Sequence, residues 1–302
     1  MKTRFFISLA TAACFAGLII ACNKSNSASG NNNGGNSTQP NTTTAQVQTQ
    51  ADDESQVNTE LNAAENDINN SLNTSAAFNG INTTSANNGL QTDGGGVLQI
   101  LYNLCDATIT TDTANGQREL IITYNGLGCE GHRTRTGVIT ISIPIGTHWK
   151  DKGAVVTVKI DNLKITRIRD QKTIIINGTY YFTNVTGGLL RDLASLQTIT
   201  HTVTADSLTV QFADSATRIW SIAKQRVFTY NNGVVITTTG THSDGTNNDV
   251  AVWGVNRYGN SFETLIVQPM VIEQDCDWRL TSGQTETIRK ALTLNVTYGL
   301  DS

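Results

Sequence analysis

From about Val97 to the end of the chain, β-patterned stretches follow one another, joined by short turns. No helical stretch between them is long enough to cross over between parallel partners. That forces an antiparallel meander of about eleven strands. Asp106 to Thr113 and Gln117 to Tyr124 flank Ala114-Asn115-Gly116, and Asn-Gly is a strong hairpin signal. Thr136 to Ile145 alternates, with Ile139, Ile141 and Ile143 on one face. Ala154 to Arg167 points Val156, Val158 and Ile160 one way and Thr157, Lys159 and Asp161 the other. Lys172 to Val185 is long, and its internal Asn177-Gly178 reads as a bulge. Gly187 to Leu196 has the look of one short helical turn. Strands are expected at 198–212, 217–230, 234–242, 250–256, 262–272 and 287–298, with Asn231-Asn232-Gly233, Asp244-Gly245, Tyr258-Gly259-Asn260 and Ser282-Gly283 among the connections. Several strands exceed the usual five or six residues, so the meander needs a covered face. A sandwich, a sheet curled toward a barrel, or a helix laid on the open face all satisfy that need.

The chain begins as a secretion signal does. Lys2 and Arg4 precede an apolar run, Phe5 to Ile20, that is short for a membrane span. Ile19-Ile20-Ala21-Cys22 resembles the bacterial lipobox, which implies a lipidated Cys22 as the first residue of the mature chain. Residues 22–50 are then a tether of Asn, Ser, Thr, Gly and Gln, too poor in apolar side chains to offset its ordering entropy. Residues 51–76 differ: Val57, Leu61, Ala64, Ile68 and Leu72 recur at spacings of four, three, four and four, one apolar stripe on an amphipathic helix. Residues 77–96 return to Asn, Thr and Gly, a linker into the β domain at 97–302.

Loss of residues 1–21 would take the formal net charge from −4 to −6. Nucleic acid and anionic membrane surfaces need clustered Lys and Arg, which this chain lacks. His132, His148, His201 and His242 lie far apart without metal-ligand spacing and read as isolated surface residues. No GxSxG, phosphate-cradling loop or dinucleotide fingerprint occurs. Asp244 to Asp249 carries oxygen ligands but lacks the spacing of a calcium loop, and reads as a plain hairpin loop. Glu130, Asp161, Glu263 and Asp277 could supply an acid and a base, yet no pattern brings two together. The reading assigns no cofactor, no metal and no catalytic residue. Trp149, Trp220, Trp253 and Trp278, with Tyr180 and Phe182, are either core packing or stacking surfaces for sugar rings; packing is the better account.

Cys105, Gly128-Cys129 and Arg133-Thr134-Arg135-Thr136-Gly137-Val138-Ile139, followed by Ile174 to Gly178 and Asp275-Cys276, resemble a group of uncharacterised Bacteroidota surface lipoproteins. The resemblance implies an exported all-β domain behind a lipid anchor, and no activity. Asp112-Thr113-Ala114, Asp206-Ser207-Leu208 and Asp214-Ser215-Ala216 look like the O-glycosylation acceptor used in Bacteroidota, with Thr113, Ser207 and Ser215 as acceptors. Cys105 and Cys129 bracket the Asn115-Gly116 hairpin, and export through an oxidising compartment permits a disulfide between them. Cys276 is then left over with a free thiol. The family leads one to expect a further strand beyond 287–298, whose edge would otherwise be unpaired.

The function expected is that of an exported, non-catalytic β domain held to the outer membrane by lipid, binding a glycan or a surface protein or serving a structural role. A polysaccharide-acting hydrolase and a fimbrial-type subunit assembling by strand exchange are the alternatives.

Overall fold

In a computed structural model, the structure describes residues 26–29, 44–80, 104–128, 131–276, 279–289 and 292–299. The signal, Cys22, most of the tether, the 81–103 stretch, Cys129, Glu130, Asp277 and Trp278 lie outside them. The thirteen strands among the described residues form one antiparallel sheet. β1 is Asn26–Ser29, β2 Ala107–Ala114, β3 Gln117–Leu127, β4 Arg133–Pro144, β5 Ala154–Arg167 and β6 Thr173–Asn184. β7 is Thr198–Phe212, β8 Thr217–Tyr230, β9 Val234–Gly240, β10 Val250–Val255, β11 Ser261–Glu273, β12 Arg279–Arg289 and β13 Leu292–Tyr298. α1 spans Thr44–Thr74, α2 Ala76–Asn79 and α3 Leu193–Leu196. No helix among the described residues is long and apolar enough to cross a membrane.

The meander runs from β2 to β8 and from β11 to β13 without a crossover. One row departs from it. β9 pairs with the 224–230 half of β8 and the 270–273 part of β11, while β10 pairs with the 219–222 half of β8 and the 261–265 part of β11. β9 and β10 therefore lie end to end and run the same way. They are two halves of one strand, interrupted by residues 241–249.

Among the described residues the sheet does not stack on a second sheet. It curls around α1. Val57, Leu61, Ala64, Ile68 and Leu72 are at most 2% exposed and share one core with inward residues from β3 to β8, β10 and β11. The alternations expected for Ile139–Ile143 and Val156–Ile160 hold, with both sets buried. A row of irregularities bends the strands. Register shifts fall at Gly137, at Asn162, beside Gly178 and at Ser207, on consecutive strands β4 to β7. Each has positive φ, and a bulge adds local twist and curl. Gly137 has no substitute, because a Cβ there would collide with the Asn162 carbonyl. The bulge expected at Asn177-Gly178 is part of this row.

Three expectations need correction. The helix begins at Thr44, inside the stretch read as tether, and lies within the curled sheet. Ser282-Gly283 is not a turn: it sits inside β12, where Gly283 (φ 136°) packs under Met270 opposite a register shift in β11. Residues 287–298 are accordingly not one strand but the end of β12 and all of β13. β13 is paired with β12 along its length and with β1 at Asn295–Tyr298, so its edge is not left unpaired throughout.

Candidate functional site: a charged clasp inside the sheet and an aromatic seam outside it

α1 carries six acids and no base. At 100° per residue, Glu54 and Glu65 fall on one flank of its apolar stripe and Glu60 and Asp67 on the other, about 140° away. The sheet answers both flanks with inward-pointing bases. On the β4 side, Arg133 meets Glu60 at 2.9 Å and Arg135 meets Asp67 at 2.6 Å. Arg135 also grips Asp106 with two bonds of 2.6 and 2.7 Å and lies 4.3 Å over the Tyr124 ring, whose hydroxyl donates to Asp67. Burial opposes the Arg135 charge, but Asp106 and Asp67 overcome it and raise its pKa above the ordinary arginine value. On the β8 side, Arg218 pairs with Glu54 and stacks over Trp220 and Phe262, and Arg226 reaches Glu65 at 3.4 Å.

The lower end, where α1 enters, is held by Asp52 to Arg167 and Lys172 and by Asp53 to Arg257, the last at 2.6 Å. Burial raises the Asp53 pKa to about 6 against the opposing pull of Arg257 and Arg218. At the upper end Asn73 accepts from the Leu190 amide at 2.8 Å, and the Phe78 carbonyl accepts from Trp149 N at 2.9 Å. The interior is thus occupied by the chain's own helix, pinned from β4 round to β12.

Most sequence candidates are absorbed by this packing. Trp149, Trp220, Tyr180 and Phe182 are fully buried and offer no stacking surface. His201 is not a surface residue: it is buried between Trp149 and Phe228, and burial, helped by Arg226, lowers its pKa to about 3. Asp161 projects from β5 and Glu263 from β11, so the structure does not bring them together as an acid and a base. Asp244 accepts from the amides of Thr246 and Asn247, which engages its carboxylate in its own loop. Thr113, Ser207 and Ser215 are all exposed, on the sheet edge, a bulge and a turn respectively. Cys105 is disulfide-bonded. So is Cys276, which corrects the expectation of a free thiol. The two lie at opposite ends of the sheet, next to the start of β2 and between β11 and β12.

Of the aromatic candidates among the described residues, one lies on the outer face. Trp253 on β10 stacks on His242 with ring centroids 4.0 Å apart and planes 13° apart. Both sit at the seam where β9 gives way to β10. Trp253 faces Ser221 on β8 and Glu263 on β11, and Glu263 accepts from the Asn247 side chain at 3.1 Å. Exposed Ile219 and Val255 pair with each other one step along. An indole edge, an imidazole, a carboxylate and an amide on a rigid sheet can bind a small polar ligand with an apolar face.

The inward arginines are the residues that the sequence reading missed. Their signal was present: Arg218, Lys224 and Arg226 alternate in register with Trp220, Ile222 and Phe228, hence on the buried face. A helix with acids alone is the complement of such a face. No protein-family model matches the chain, and no curated protein or solved structure does either.

Proposed function

We propose that the chain is a lipid-anchored, exported, non-catalytic β domain that acts at the outer membrane as a surface binding or structural module. The anchor rests on the order of Lys2, Arg4, the apolar run, Ala21 and Cys22. The location of binding rests on one observation, that α1 and its ion pairs fill the space the sheet encloses. A ligand must then meet the outer face, where the Trp253–His242 seam is the candidate surface. Cys105 would be joined to Cys129 at the lower end, in a loop whose closure contributes ~3 kcal/mol; non-reducing peptide mapping should show the two peptides linked.

Two experiments test this reading. Cys22→Ala should leave the protein unlipidated and release it from the membrane fraction; detergent partitioning equal to the parent would defeat the anchor. The soluble Cys22→Ala chain, α1 included, should then be screened on a glycan array beside Trp253→Ala. Binding lost with Trp253 supports the seam, whereas binding unchanged in the variant removes it.

A further inference from the structure

The upper end of the sheet carries a platform made of two loops, residues 145–153 between β4 and β5 and residues 185–197 between β6 and β7. The loops are tied to each other. Gly188 N donates to the Lys150 carbonyl at 2.8 Å, and the Asn184 side chain donates to the carbonyls of Trp149 and Gly188, each at 2.9 Å. A Cβ on Gly187 would stand only 2.9 Å from the Lys152 amide nitrogen. Trp149, Leu189 and Leu193 are buried beneath. On top, Ile145 is 56% exposed, Leu196 47% and Val185 38%. Charge around them nearly balances: exposed Lys150 and Lys152, Asp151, and an Arg191–Asp192 pair at 3.9 Å. Large aliphatic side chains held out by a hydrogen-bonded frame mark a surface that meets something apolar.

The lower end exposes Leu127, Ile168 and Tyr258, so exposure alone does not choose between the ends. The register of β1 does. Asn26 pairs with Tyr298, the last residue of β13. From Tyr298 that row of the ladder crosses by way of Gly283 and Met270, then Thr238 and His201, to Ala154, the first residue of β5, under the platform. β1 therefore enters from the upper end. Four peptide links separate Asn26 from Cys22, about 14 Å of extended chain. The lower end is farther than that: β5 runs fourteen residues from rim to rim, on the order of 40 Å of strand. Resting on the anchor proposed above, we infer that the upper rim seats on the bilayer. Ile145, Val185 and Leu196 enter the headgroup layer of a zwitterionic membrane, and the lower end, where α1 enters the sheet, faces away.

Hydroxyl-radical labelling, read by peptide mass spectrometry, tests this on the full chain: the lipidated form in phosphatidylcholine vesicles beside the soluble Cys22→Ala form. Ile145, Val185 and Leu196 should lose most of their oxidation in the vesicles, while Leu127, Ile168 and Tyr258 keep theirs. An Ile145→Asp, Leu196→Asp variant should regain oxidation at Val185 while its intact mass still carries the lipid. Equal oxidation of the two ends in a chain that carries the lipid overturns the inference and leaves the anchor standing. Protection of the lower end instead, or protection of Val185 that survives both aspartates, overturns it as well. A chain whose intact mass lacks the lipid defeats the anchor and the inference with it.

Discussion

The two flanks of α1 solve one problem with different completeness. On the β4 side Arg135 is bonded through all three nitrogens, to Asp106 and Asp67, with an aromatic ring beneath it. On the β8 side Arg226 and Glu65 are each 1% exposed, yet they meet at 3.4 Å, and Nε and Nη1 of Arg226 have no protein partner. A buried ion pair offsets its desolvation only when its remaining hydrogen-bonding positions are filled. The first flank meets that condition and the second does not, so equal burial and equal charge should not mean equal contributions to stability.

The largest expected effect lies on the complete flank. Arg135→Met leaves two buried carboxylates without their cation and should cost about 3–5 kcal/mol. Urea denaturation of the soluble chain measures it, and a loss under about 1 kcal/mol would erase the distinction between the flanks. The next effect is seen by varying pH. The folded-state pKa of Asp53, about 6, lies above its ordinary value of 3.8. Its contribution is therefore fully present below about pH 4 and is lost as pH rises through 6. Asp53→Asn should remove up to about 2 kcal/mol of the stability difference between pH 4.5 and 7. An unchanged difference would show that Arg257 keeps the carboxylate charged throughout. The smallest effect belongs to the incomplete flank. Glu65→Gln with Arg226→Met together should change stability by less than about 1 kcal/mol, and a loss as large as that of Arg135→Met would show that the two flanks are equivalent after all.

Much of the sheet was legible in the sequence, and the reason is periodicity. Strand faces follow a period of two, which places Ile139, Ile141 and Ile143 together whatever they pack on. The stripe from Val57 to Leu72 was legible at the helical period for the same reason. What covers the sheet was not legible, because it depends on two segments meeting across the chain. Glu54 and Glu65 look like solvated helix acids until Arg218 and Arg226 are known to face inward. The β12–β13 region was misread because Ser282-Gly283 has turn composition, although Gly283 serves a close approach to Met270. The seam was half legible: both strands were expected, but not that they continue one another.

That continuity has a consequence for how the protein can vary. β9 stops and β10 resumes in the same row and direction, and the His242–Val250 bridge pinches the neck of the loop between them. Residues 243–248 therefore sit outside the hydrogen-bond ladder, which Asp249 rejoins by accepting from the Ile266 amide, so added length there should shift no register. The position between Asp244 and Gly245 is a port: a peptide or a small domain spliced in would stand off the wall of the sheet at mid-height, beside Trp253, while the strands below and above stay paired as before.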